Sequence, residues 1–141
     1  MVLWGRARLS KLEPERRAAI TERVRGDVAQ GRPIRLINNF GGLKSVRAAA
    51  SPHIDWAEVL HLAFVRRWLL PICAVYEPGV EVEYTGQGAI GCLVDNIPWD
   101  RQETYEQEFS DLIAAVRGML PENFVIAEVP FEQFYACLLY T

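Results

Sequence analysis

The chain has 141 residues, half of them apolar and 23% charged, with a net charge of −3 at pH 7. That is enough for one domain with a real core, and the composition is that of an ordinary globular protein rather than a disordered one. The slight acidity gives no reason to expect nucleic acid as a partner. The longest apolar stretch, Trp68 to Tyr76, is nine residues and contains Pro71, far short of the ~20 that span a bilayer. The start, MVLWGRARLSKLEPERR, lacks the apolar core of a signal peptide. No membrane partner is expected, and the cytoplasm is the expected location. Cys73 and Cys92 lie inside apolar runs without C-x-x-C spacing, and there are only two histidines. Reduced, buried thiols and no metal site are the expectation.

The elements follow in order. Pro14 fits a first helical turn, and Ile20, Val24 and Val28 recur at helical spacing until Gly31-Arg32-Pro33 ends the helix. The bases and acids of residues 1–31 alternate along it, as on a solvated face. Pro33 to Asn38 is short and rich in branched apolar residues, which predicts a strand, and Asn38-Asn39-Phe40-Gly41-Gly42 breaks it. Asp55-Trp56-Ala57-Glu58 has capping-box spacing. The helix it opens is apolar nearly all round from Val59 to Tyr76, so it is expected in the core, with Pro71 kinking or ending it. Val80 to Tyr84 alternates as a half-buried strand. Ala89 to Val94 is a second apolar run, joined to the first through Thr85-Gly86-Gln87-Gly88, and a hairpin is one way to pair them. Asp100-Arg101-Gln102-Glu103 reads as another capping box, ahead of a helix with Tyr105, Phe109, Leu112, Ile113, Val116 and Leu120 on one face. Phe124 to Val129 closes the series as a strand. The order predicts an α/β layered domain with a mixed, mostly parallel sheet over residues 1–136.

Residues 137–141, Cys137-Leu138-Leu139-Tyr140-Thr141, match the translation of a transposon-end sequencing adapter. On that reading they are set aside, and residues 1–136 are the N-terminal part of a longer protein with a sheet edge left unpaired.

The loop after the first strand is the leading candidate site, because ligands in open α/β sheets sit beyond the carboxyl ends of strands. Gly41 and Gly42 let the main chain approach a ligand, with Asn39 beside them. Lys44 is placed to hold a phosphate or carboxylate, or to attack a carbonyl, and Ser45 adds a hydroxyl. The loop is not a P-loop, since Leu43 precedes Lys44. Asp55 and Glu58 are the second candidate: two carboxylates that either bind an amine or move a proton, or else simply cap the helix. Thr85 belongs to the loop after the second strand. His53 has no identifiable Ser or Cys partner, His61 reads as a hydrogen-bonded core histidine, and Asp95-Asn96 reads as a turn. Trp4, Trp56, Trp68 and Trp99 are too dispersed for a base-stacking platform and read as packing residues.

Several of these pieces together resemble the N-terminal half of the isocyanide synthase family, which includes the pyoverdine- and dityrosine-associated enzymes. They are Gly31-Arg32-Pro33-Ile34, Lys44-Ser45, the Pro52-His53-Ile54-Asp55-Trp56-Ala57-Glu58 helix start, the Tyr76-Glu77-Pro78-Gly79 turn into a strand, and Tyr105 opening the next helix. The family's Pro-Asn after Lys-Ser is Val46-Arg47 here, and its Ser-Asp-Gly loop is Thr85-Gly86-Gln87-Gly88. The resemblance implies a Rossmann-like domain that converts an amino-acid α-amine to an isonitrile with carbon from a pentulose phosphate, without metal or nucleotide. It implies that Lys44 engages the sugar's carbonyl or phosphate and that Asp55 or Glu58 handles the amine or a proton, so Lys44, Asp55 and Glu58 are the expected catalytic residues; the loop reading adds Asn39, Gly41, Gly42, Ser45 and Thr85 as expected substrate contacts. Two other expectations stand beside it: another α/β transferase acting on a phosphorylated or carboxylated small molecule, and a non-catalytic α/β module of a larger protein.

Overall fold

A computed structural model describes residues 13–38, 51–86 and 92–129. The chain divides into two compact units, Met1–Ile34 and Arg35–Thr141. In the first, α1 spans Pro14–Ala29 with Pro14 at its start and none of its residues buried. Its end is a Schellman closure: Gly31 takes φ +62, its N–H bonds Val28 O (3.1 Å), and Arg32 N–H bonds Asp27 O (3.0 Å). The Arg32 guanidinium also binds the Asp27 carboxylate at 2.7 Å.

The second unit is built on a three-stranded sheet, order β1-β2-β3, with β1 at Ile34–Asn38, β2 at Val80–Thr85 and β3 at Phe124–Val129. Helix α2 (Trp56–Cys73) connects β1 to β2, and α3 (Trp99–Arg117) connects β2 to β3. β2 and β3 run parallel with Val80 opposite Phe124 and Val82 opposite Ile126. Right-handed crossovers between successive strands place both connecting helices on one face of the sheet. Accordingly, α2 packs on β2, α3 on β3, and the two helices on each other. Val80, Val82, Tyr84, Phe124 and Ile126 meet Leu62, Val65 and Leu69 of α2 and Tyr105, Phe109 and Ile113 of α3 in this core. The stripes lie at helical spacing on each helix, as the sequence pattern of α3 leads one to expect.

The opposite sheet face is different. Strand alternation puts Glu81, Glu83 and Thr85 there, and Glu83 and Thr85 are buried. Arg35 of β1 bonds Glu83 and, through Nε, Glu81 Oε2 at 3.3 Å. β2 is therefore buried on both faces rather than half-buried. This is the usual condition of a central parallel strand, reached here by supplying a cation for its carboxylates.

Four expectations need correction. Residues 92–94 form a helical turn, and β2 pairs with β3, so the second run is not a strand over those residues and the hairpin fails; a Gly-rich link also suits a crossover. The N-cap of α3 is Pro98, without a side-chain bond, and Asp100 sits in the first turn. Of the two effects expected of Pro71, stopping the helix at its own position does not occur: α2 runs two residues past it, and Pro71 is exposed, so the donor it lacks falls on the solvent side. Finally, α2 is not enclosed: Trp56, Leu60, Phe64 and Trp68 are exposed, as is Trp99. Only one stripe of α2 faces the sheet.

The join between α2 and β2 is tied by Asn123. Its Nδ2 donates to the carbonyls of Cys73 (2.9 Å), Tyr76 (3.3 Å) and Glu77 (3.3 Å), while its own carbonyl accepts from Val80 N (2.9 Å). At the other side, Arg117 donates from Nε to Ile126 O (2.9 Å) and from Nη2 to Glu128 (3.1 Å), covering a main-chain acceptor on the outer side of β3.

Candidate functional site

Because β1 and β2 each lead into a helix, the N-termini of α2 and α3 lie at the carboxyl end of the sheet. This is where ligands bind in open α/β folds. Two hydrogen-bonded groups of polar side chains gather there. In the first, Glu58 is 1% exposed; Oε1 accepts from the Tyr105 hydroxyl (3.2 Å) and Oε2 accepts from Asp55 N (2.7 Å). Asp55 in turn accepts from Ala57 N at 2.6 Å, completing the capping box predicted from the sequence. Structural and chemical roles coincide here, since the cap holds a carboxylate in the interior beside a phenol.

In the second group, His61 lies one turn beyond Glu58. Its Nε2 is 2.9 Å from Asn38 Nδ2 and 3.1 Å from the Tyr84 hydroxyl. Burial pushes the imidazole pKa down, against an opposing pull from Glu58, so the ring is neutral at pH 7. With the Asn38 amide donating, Nε2 is the acceptor and the proton sits on Nδ1. Burial pushes Tyr84 up to about 12, with the Asn38 bond acting in the other direction. Tyr105 is also raised, by burial first and then by the Glu58 charge. Both phenols therefore hold their protons through neutral pH. His61, Tyr84, Phe109 and Tyr105 form a continuous run of ring contacts, with Tyr105 stacked on Phe109. This run joins the two polar groups.

Helix α3 adds three more side chains. Glu108 accepts from Ile54 N (3.0 Å) and pairs with His53 Nδ1 (2.5 Å), which docks the entry to α2 against α3. The His53 hydrogen bond, chiefly, holds the Glu108 carboxyl below its usual range. Gln102 is buried; its Nε2 donates to Glu106 Oε1 (2.7 Å), and its Oε1 has no partner among the described residues. A Cβ placed on Gly86 would come within 3.9 Å of that same Glu106 oxygen, so the backbone leaving β2 passes close to α3.

Of the residues singled out from the sequence, Asp55 and Glu58 are brought together. Thr85 is the buried last residue of β2, on the face opposite Tyr84, and Gly86 rather than Thr85 approaches α3. Asn39, Gly41, Gly42, Lys44 and Ser45 lie outside the described residues, as does Trp4. His61 is the hydrogen-bonded histidine expected. Asp95 and Asn96 are exposed, with Asn96 at φ +55, as suits a turn. Asn38, Tyr84, Gln102, Tyr105's bond and Glu108 were not singled out as site chemistry. A polar tip on an otherwise apolar helix stripe was the available signal for Gln102 and Tyr105. The free thiols of Cys73 and Cys92 are pushed up by burial and stay protonated at neutral pH. Among the described residues, no helix is long and apolar enough to cross a membrane, and no three His, Cys, Asp or Glu gather to hold a metal.

The pKa shifts set a stability profile. The unfolded chain takes up a proton on His61 as pH falls through ~6.5, while the folded chain resists. Stability from this group is therefore whole above that pH and lost below it. The two tyrosines behave in the opposite sense: the unfolded chain ionises from about pH 10, the folded chain later, so their contribution is whole below that pH and declines above it. The raised thiols of Cys73 and Cys92 act in the same sense as the tyrosines but from about pH 8.5. Urea midpoints measured against pH should therefore show a plateau between that limit and the His61 loss, and His61→Gln should remove the loss near pH 6.

The fold and these groups define an α/β domain with a polar, proton-holding site at the carboxyl end of parallel strands. No protein-family model, curated protein or solved structure matches the chain.

Proposed function

We propose that the chain belongs to an isocyanide-synthase-like enzyme that acts on the α-amine of an amino acid with a pentulose phosphate. The observation that carries the reading is the interior carboxylate of Glu58, held by Tyr105 and the α2 cap one helical turn from neutral His61. An ammonium substrate needs an anionic partner to bind, and must lose a proton before its nitrogen attacks a carbonyl. Asp55 and Glu58 supply the carboxylates. Tyr84, still protonated at neutral pH, is the donor suited to an oxygen gaining charge as the carbon–nitrogen bond forms, since the Tyr105 proton is already committed to Glu58. Lys44 is the cation proposed for the sugar phosphate.

The test is incubation with aromatic amino acids and uniformly 13C-labelled ribulose 5-phosphate, with saturation-transfer NMR for binding and mass spectrometry for product. Binding of the amino acid but not its des-amino analogue, with one labelled carbon in an isonitrile, is the expected outcome. Amine binding without labelled product would point instead to another α/β transferase. Absence of both would leave the non-catalytic module.

A further inference from the structure

The outward face of α2 has the wrong chemistry for a helix lying on a sheet. Trp56, Leu60, Phe64 and Trp68 are 75%, 63%, 58% and 56% exposed, and they recur every four residues. They run as one ridge along the side of α2 away from the buried Glu58, Leu62, Val65 and Leu69. An outward helix face is normally polar. Large side chains of this kind present roughly 150–250 Å² each, so the ridge leaves on the order of 500 Å² of contiguous surface, the scale that marks an interaction site.

We infer that this ridge pairs with its own copy, making the protein a two-fold dimer through antiparallel α2 helices. Three features select a second copy. The first is that the ridge is nearly palindromic. A two-fold axis between Leu60 and Phe64 sets Trp56 against Trp68 of the partner subunit and Leu60 against Phe64 of the partner subunit, as an isologous interface requires. Residues spaced by four also form the ridge that interdigitates in the commonest helix–helix packing. The second is area. Two such ridges bury up to about 1,000 Å² together, the lower bound for a specific interface and the range of a weak, reversible one. The third is orientation. Antiparallel pairing sets the two α2 dipoles in opposite directions, so that they attract, where parallel pairing would set them in repulsion.

Equilibrium sedimentation of the chain tests this, with circular dichroism as the control for folding. The wild type should be a reversible dimer. Leu60→Glu and Phe64→Lys, both on the outward face, should each weaken self-association by roughly 10-fold or more with unchanged dichroism. An equimolar mixture of the two variants should recover a heterodimer, because the antiparallel register sets position 60 against position 64. A wild type monomeric at all concentrations overturns the inference, as does a dimer that neither substitution weakens. Failure of the mixture to pair overturns the register. A monomer in which both ridge tryptophans emit as buried indoles would assign the ridge to another segment of the same chain.

Discussion

Replacing Gly79 by Ala is expected to remove about 3–5 kcal/mol of stability, from left-handed backbone strain and overpacking together. Gly79 is at φ +68, and a Cβ there would stand 1.8 Å from the Asn123 carbonyl oxygen, 2.7 Å from its carbon and 2.8 Å from Asn123 Cβ. The obstacle is mainly backbone, so no rotamer change relieves it. Nor is the backbone free to retreat. The same carbonyl accepts from Val80 N, the first residue of β2, and Val80 is paired with Phe124 in the parallel register. Moving Asn123 aside would also break its three bonds to the turn after α2. Gly31 is the internal control. It has a similar φ of +62 but nothing within 4 Å of an added Cβ, so Gly31→Ala should cost only ~1–2 kcal/mol. Urea denaturation of the two variants separates strain from collision. Equal losses would show that the close approach at Gly79 contributes nothing.

Where local signals decided the outcome, the sequence was readable. Pro14, the Asp55–Glu58 spacing, the Gly31 stop and the three strand cores each act over a few residues, and each element appears where its pattern lies. The expectations that failed are those a neighbour settles. The helical turn at 92–94 could not be told from a strand by hydrophobicity, because strand pairing depends on β3, some thirty residues on. Pro98 outcompeted Asp100 as the helix start because its fixed φ suits the N-terminal turn and needs no side-chain bond. The apolar composition of α2 suggested enclosure, yet the sheet reaches only one of its stripes. The same limit applies to the site. The carboxylates were visible as a motif. Tyr105, which bonds Glu58, Asn38, which bonds His61, and Glu108, which pairs with His53, come from other elements at separations that no motif encodes, and only the fold brings them in.

Glu58 is where stability and proposed chemistry can be separated. Glu58→Ala should cost about 2–4 kcal/mol, from a lost capping box and a buried Tyr105 hydroxyl left without its acceptor. Glu58→Gln is different. The amide oxygen can still accept from Asp55 N, and the Tyr105 hydroxyl can rotate to accept from the amide nitrogen, which keeps two bonds but leaves the buried hydroxyl proton without its acceptor. The cap survives, so the cost should be about 1–2 kcal/mol, below that of Glu58→Ala. The Glu58 charge and its bond both raise the Tyr105 pKa, so an ultraviolet titration should find one tyrosine ionising at lower pH in the Gln variant. If the carboxylate also holds a substrate ammonium, Glu58→Gln should weaken amino-acid binding by roughly tenfold or more, the effect of losing a charge-assisted partner. A Gln variant that folds, shows the shifted tyrosine and still binds the amino acid as wild type would confine Glu58 to capping. The amine would then have to be held elsewhere, with exposed Asp55 as the remaining carboxylate of the pair. A Gln variant as unstable as the Ala variant would show instead that the charge itself, not the hydrogen bonds, holds the start of α2 against α3.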